Sequence, residues 1–116
     1  MTNSSRSKSE DYIESEILEW LAGLGIGFFW KNPTTGFFDG KKMRKHKSSF
    51  AINGPSDILG VVDGRIVCIE VKTPTGVVSP DQVAFIRRVQ ACGGLACVAR
   101  SVDQTKQSFV EWGLIS

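Results

Sequence analysis

An Asp63-Gly64 pair between two apolar, β-branched runs constrains the fold of this chain more than any other feature. Asp-Gly in this setting predicts a two-residue type I′ turn joining antiparallel strands, here residues 57–62 and 65–72. Val62 then faces Arg65, and the same register places Asp57 directly opposite Glu70. A three-residue turn would shift the register by one residue and separate the two acids.

The opposed carboxylates predict a cation site. Directly opposed Cβ atoms lie ~4.5–5.5 Å apart, so two negative charges there repel each other. Both faces of the hairpin are apolar, as in central strands, through Ile58, Leu59, Val61, Val62, Ile66, Val67, Ile69 and Val71. A bound cation or a shared proton would relieve the repulsion, and carboxylate oxygens suit hard ions such as Mg²⁺.

Lys72 lies two residues beyond Glu70, so its side chain leaves the same face of the sheet. An acidic pair with an adjacent ammonium suits metal-assisted phosphodiester hydrolysis. The competing interpretation is a solvent-exposed hairpin end with an ordinary Glu-Lys surface pair. The opposed Asp57 and the apolar surroundings favour the metal site.

The rest of the chain predicts an α/β fold. We expect a mixed central sheet flanked by helices, in the order αβββαβα. The predicted elements are a helix over 11–24, a strand over 26–31, a loop with short strands over 32–56, the hairpin, a helix from Ser79-Pro80-Asp81-Gln82 to Gly93-Gly94, a strand over 95–99, and a helix from Ser101 to about Trp112. With 116 residues the chain predicts one domain over 11–116, after a polar tail at 1–10.

Composition narrows the class of protein. Hydrophobic residues make up 41% and charged residues 22%, which is typical of a globular domain. The three cysteines form no CxxC pair, which favours a reducing, cytoplasmic location over a disulfide framework or a zinc site. No apolar run approaches the ~18 residues of a membrane span, so we expect no membrane association.

The hairpin sequence resembles a known family. Pro55-Ser56-Asp57, twelve residues, and then Glu70-Val71-Lys72 resemble the signature of the PD-(D/E)xK nucleases. With Lys72-Thr73-Pro74-Thr75-Gly76 and Ser79-Pro80-Asp81-Gln82, the chain is similar to the VRR-NUC branch over most of residues 12–100. Ser56 departs from the pattern, since many members have Pro directly before the Asp. We expect little effect, because the chemistry needs only the Asp carboxylate.

The resemblance implies a restriction-endonuclease-like fold and cleavage of DNA that depends on Mg²⁺ or Mn²⁺. By position, Asp57, Glu70 and the carbonyl of Val71 would be metal ligands, and Lys72 would be the catalytic lysine. Gln82 would be a further active-site residue, although its capping-box position also accounts for it, and both roles can coexist.

The family also places an acid on the first helix, as a catalytic and metal-binding group. We choose Glu14, because it shares a helical face with Ile17, Leu18 and Leu21. Glu16 is the second choice, and we assign Glu10 and Glu19 to the solvated face.

Two groups of basic residues are candidate DNA contacts. A run without acids contains Lys41, Lys42, Arg44, Lys45 and Lys47, and would contribute salt-dependent phosphate contacts. Arg87 and Arg88 follow the catalytic strand on the next helix. A solvated loop and ordinary surface charges are the respective alternatives.

We therefore expect a divalent-metal-dependent DNA endonuclease, selective for branched DNA such as four-way junctions. We expect a homodimer, because one chain supplies one site and symmetric cutting of two strands needs two. The apolar C-terminal run, with Phe109, Val110, Trp112, Leu114 and Ile115, either forms that interface or caps the core. The alternatives are a non-catalytic nucleic-acid-binding module of the same fold, or a nuclease subunit of a larger restriction or repair complex.

Overall fold

The computed structural model describes residues 9–33, 37–38, 43–44, 52 and 54–116. Residues 1–8 of the predicted tail 1–10 lie outside this range, but Ser9 caps the first helix and Glu10 begins it, so this helix starts one residue earlier than predicted. The elements are α1 (Glu10–Leu24), β1 (Phe28–Lys31), β2 (Phe37–Phe38), β3 (Met43–Arg44), β4 (Ile58–Val62), β5 (Arg65–Val71), α2 (Pro80–Ala91), β6 (Leu95–Ala99) and α3 (Val102–Glu111). None of these three helices is long and apolar enough to cross a membrane.

The β4–β5 hairpin has the predicted turn and register. Asp63 and Gly64 have φ angles of 51° and 79°, which are the two positive values that a type I′ turn requires. Val62 pairs with Arg65, and Ile58 pairs with Ile69. The same register, continued by one residue, sets Asp57 opposite Glu70.

The hairpin occupies the middle of a four-stranded sheet in the order β1-β4-β5-β6. The β1–β4 and β4–β5 pairs are antiparallel and the β5–β6 pair is parallel, so the sheet is mixed. The predicted α/β class and order of elements are confirmed. The short strands expected between residues 32 and 56 include β2 and β3, which form a separate antiparallel pair.

One face of the sheet carries the core, because α1 and α3 pack their apolar side chains onto it. Phe109 of α3 is fully buried and makes ring contacts with Trp20 and Phe29, at centroid distances of 5.3 and 5.9 Å. Beyond Phe109, the residues Trp112, Leu114 and Ile115 pack against this cluster. The structure thus favours the core-capping interpretation of the C-terminal run.

On the other face, α2 packs against β5 and β6, and this leaves the rest of the face uncovered. Near the hairpin turn, Val61 and Ile66 pair with each other and are each 42% exposed. Phe28 of β1 pairs with Val61 and is 67% exposed. The expectation that both hairpin faces are buried is therefore wrong at the turn end, although it holds at Glu70.

Candidate active site

The ends of four elements meet where Asp57 and Glu70 lie: β4, α1 and α2 begin there, and β5 ends there. The Val71 N–H donates to Asp57 Oδ2 over 2.8 Å, so the Asp57 carboxylate is held against the end of β5. The predicted juxtaposition of the two acids is present.

Neighbouring backbone holds the segment that carries Asp57. The Asn32 N–H donates to the Asp57 carbonyl over 2.8 Å, and Asn32 Nδ2 donates to the Ser56 carbonyl over 3.1 Å. On the other side, Gly54 has a φ of 76° and lies against the backbone of Asp81 and Gln82, where a Cβ would come within 2.8 Å of both. Only glycine fits this left-handed, crowded position, so Gly54 allows the loop to pack on the start of α2.

Glu70 is the most unusual ionisable group of the site. Its side chain is 2% exposed, and burial, followed by the neighbouring Asp57 carboxyl group, raises its pKa to about 8. Glu70 Oε2 accepts a hydrogen bond of 2.7 Å from Gln82 Nε2. Within the described part of the chain, its buried Oε1 has no hydrogen-bond partner. A buried carboxyl oxygen without a donor favours a proton or a cation at that position.

The side-chain amide of Gln82 both caps α2, through its oxygen, and contacts Glu70, through its nitrogen. Gln82 Oε1 accepts the Ser79 N–H over 2.8 Å, while Ser79 Oγ accepts the Gln82 N–H over 3.1 Å, which completes the predicted capping box. With Oε1 fixed in the cap, Nε2 is left to donate to Glu70. The start of α2 thus fixes the orientation of the Glu70 carboxyl group.

Lys72 follows β5, and its N–H donates to the Ala99 carbonyl over 3.1 Å. Its ammonium charge opposes the rise in the pKa of Glu70, so the two groups lie in each other's electrostatic field. Lys72 is therefore beside the acidic pair, as the spacing of the two residues predicted.

A family model for the VRR-NUC domain matches residues 51–103, a range that contains Asp57, Glu70, Lys72 and Gln82. Residues 51–103 are therefore similar to the VRR-NUC domain. A solved structure described as a VRR_NUC domain protein matches with 18% identity and a TM-score of 0.52, covering 84% of this chain and 82% of the other. That likeness shows a shared fold. A comparison with curated proteins found no significant match.

The VRR-NUC domain is nuclease-related, and its family generally uses divalent metals. The described residues contain no group of three or more His, Cys, Asp or Glu side chains arranged for a metal ion. Asp57 and the unpartnered Oε1 of Glu70 nevertheless fit a hard ion, because Mg²⁺ usually binds one or two carboxylates and keeps several waters. The role of the Val71 carbonyl stays a prediction.

On the first helix, the predicted acid, Glu14, forms an ion pair with a lysine. Glu14 is 7% exposed, and its Oε1 lies 2.9 Å from Lys31 Nζ. The hydrogen bond and the charge of Glu14 raise the pKa of Lys31. Glu14 therefore already has a cationic partner, and its catalytic and metal-binding roles stay predictions.

Glu10 lies within the electrostatic field of the acidic pair, which the sequence analysis did not predict. Partial burial and then the charge of Asp57 raise its pKa, while the charge of Lys72 lowers it. It is exposed, as expected of the solvated face, but it lies at the acidic pair. The sequence did contain an indication of this position: Glu10 lies one helical turn before Glu14, so both acids are on one side of α1.

The structure does not bring the predicted basic residues of α2 to the acids. Arg87 and Arg88 are exposed in the C-terminal half of the helix. Arg88 borders an apolar groove with Ile66 and Val89, ~9 Å along the helix from Gln82. Residues 41, 42, 45 and 47 and the side chain of Arg44 lie outside the described part of the chain, and their role in DNA binding stays a prediction.

Proposed function

We propose that this chain is a divalent-metal-dependent endonuclease that hydrolyses phosphodiester bonds in branched DNA, such as four-way junctions, as a homodimer. One observation carries the proposal: a buried Glu70 oxygen, which has no hydrogen-bond partner among the described residues, lies in an acidic pair that also contains Asp57, with Lys72 alongside. This arrangement suits a cation at the acids and places a positive side chain beside them. Both features suit attack on a phosphodiester.

Asp57 and Glu70 would hold the metal, which we propose to be Mg²⁺ or Mn²⁺. When bound, such an ion supplies Lewis-acid polarisation of the phosphate and a lower pKa for the attacking water. Asp57 is positioned for this role by the Val71 N–H, and Glu70 is positioned by the Gln82 amide. The side chains that would bind the ion are therefore ordered before it arrives.

Lys72 would stabilise the charge that develops on the phosphate oxygens or orient the attacking water. A fixed ammonium beside the scissile group lowers the energy of the transition state more than that of the ground state, because negative charge accumulates there.

A dimer is supported by the part of the second sheet face that α2 leaves uncovered. Phe28, Val61 and Ile66 are large apolar side chains that share this exposed face, and clusters of this kind mark contact surfaces. A twofold pair of chains would supply two sites for two strands.

A cytoplasmic location is supported by the cysteines, all three of which are free thiols. Burial raises the pKa of Cys68 and of Cys97 to about 11, which keeps both protonated and unreactive.

The test is a cleavage assay on duplex, flap, splayed and four-way DNA with Mg²⁺, Mn²⁺ or EDTA. We expect metal-dependent cutting of branched substrates, and a loss of roughly 10²- to 10³-fold in Asp57→Asn and Lys72→Ala. Asn retains an oxygen that can accept the Val71 N–H, so folding and DNA binding should persist. Asp63→Asn in the exposed turn and Lys106→Ala on α3 are the matched controls.

Cutting by Asp57→Asn or Lys72→Ala at the wild-type rate would refute the assignment of the site. Binding of branched DNA by the wild-type chain without cleavage under any metal would instead indicate a non-catalytic binding module. Cleavage that appears only after partner chains are added would indicate a subunit of a larger complex.

A further inference from the structure

Arg100 lies between β6 and α3 and holds the turn that follows Lys72. Arg100 Nη1 donates to the carbonyls of Thr73, over 2.5 Å, and of Gly76, over 2.8 Å. The Gly76 N–H in turn donates to the Thr73 carbonyl over 3.1 Å. Because one guanidinium nitrogen carries two hydrogens, it can bind both ends of this turn at once.

Arg100 is itself fixed by its surroundings. Its N–H donates to Gln104 Oε1 over 2.8 Å, at the start of α3. The residue before it, Ala99, accepts the Lys72 N–H. The junction between β6 and α3 thus supports the chain at Lys72 and at both ends of the following turn.

The same turn lies against the side chain of Lys72. A methyl group added to Gly76 would be 3.5 Å from Lys72 Cδ and 3.0 Å from Thr73 Oγ1. The Lys72 stem therefore passes directly over Gly76. A lysine stem is long and flexible, so the surface beneath it decides where its ammonium lies.

We propose that Arg100 is a positioning residue for Lys72: by clamping the Thr73–Gly76 turn, it directs the ammonium toward the acidic pair. This proposal rests on the function proposed above, in which Lys72 acts on the phosphate. The hydrogen bonds of the Arg100 guanidinium end on backbone carbonyls, so its effect on the reaction passes through Lys72.

The experiment compares Arg100→Met and Arg100→Lys with Arg65→Met, which removes the same charge at the far, exposed end of β5. We measure kcat and KM on a four-way junction, and the NMR order parameter of the Lys72 Cε–H group. In Arg100→Met we expect the order parameter to fall and kcat to drop about 10- to 100-fold, with KM near that of Arg65→Met. Arg100→Lys should recover part of the Lys72 order parameter and part of kcat, because an ammonium retains hydrogen-bond donors but has a shorter reach.

Equal kcat and equal Lys72 order in Arg100→Met and Arg65→Met would overturn the proposal. If Arg100→Met does not fold, Arg100→Lys is the test. A reduced kcat and a reduced Lys72 order parameter in this variant support the proposal, and wild-type values of both quantities overturn it. A wild-type chain that cuts no substrate would refute the proposed function, while the Lys72 order parameter would still report whether Arg100 positions the side chain.

Discussion

The Glu70 carboxyl group is nearly inaccessible to solvent, and burial is the main cause that raises its pKa from 4.5 to about 8. Without a metal ion, the folded chain therefore keeps the Glu70 proton to a higher pH than the unfolded chain does. Between pH 4.5 and 8 the unfolded state releases this proton first, so the free energy of unfolding falls as the pH rises. The slope approaches about 1.4 kcal/mol per pH unit.

We predict that Glu70→Gln removes this loss of stability. The neutral amide has the same shape and keeps an oxygen for the Gln82 donor, so the variant should be more stable than the wild type at pH 8 in EDTA, but not at pH 4.5. Urea unfolding of both chains across this range measures the difference, with Glu19→Gln on the exposed side of α1 as the control. A wild-type minus Glu70→Gln difference that stays constant with pH would contradict the prediction.

At the scale of elements, the start of α2 combines helix capping with the orientation of Glu70. With a metal ion bound Glu70 would be ionised, and removing the Gln82 amide would then take a hydrogen bond from a charged group, which is worth roughly 1.5–3 kcal/mol. We therefore predict that Gln82→Ala slows cleavage roughly 10- to 100-fold.

Helix α3 offers the matched control, because its Ser101 Oγ likewise accepts the N–H of a glutamine, Gln104, over 3.1 Å. Ser101→Ala should lower stability by about 1 kcal/mol, as expected for a lost cap, but slow cleavage much less than Gln82→Ala does, because this cap reaches the site only through Arg100. If the two variants lose activity equally at matched stability, Gln82 contributes through the helix and not through Glu70.

The elements also show what sequence alone can determine. Asp63-Gly64 fixed the hairpin register, and with it the contact between Asp57 and Glu70, because turn type and residue alternation are local properties. The proximity of Glu10 to Asp57 and Lys72 was not predictable in this way, since it depends on where α1 begins relative to the end of the sheet. The exposure of Val61 and Ile66 was missed for a similar reason: apolar alternation shows that a face can be buried, but not how far α2 extends over it.

At the scale of the whole molecule, one chain provides one acidic pair and one Lys72. A homodimer would cut two strands of a junction within one complex, each site acting on one strand. Dimers that contain one wild-type chain and one Lys72→Ala chain should then cut a single strand, because only one of their sites is active.

We predict that wild-type protein incubated with an excess of Lys72→Ala changes the products from a plasmid-borne four-way junction. Linear plasmid should give way to nicked plasmid, in proportion to the fraction of mixed dimers that random exchange produces. Electrophoresis of the products measures this ratio, and Lys106→Ala in the same excess is the control, since its chains have an intact site. A constant ratio of linear to nicked plasmid, with chain exchange verified by a tag on one partner, would show that each chain cuts independently of a second copy.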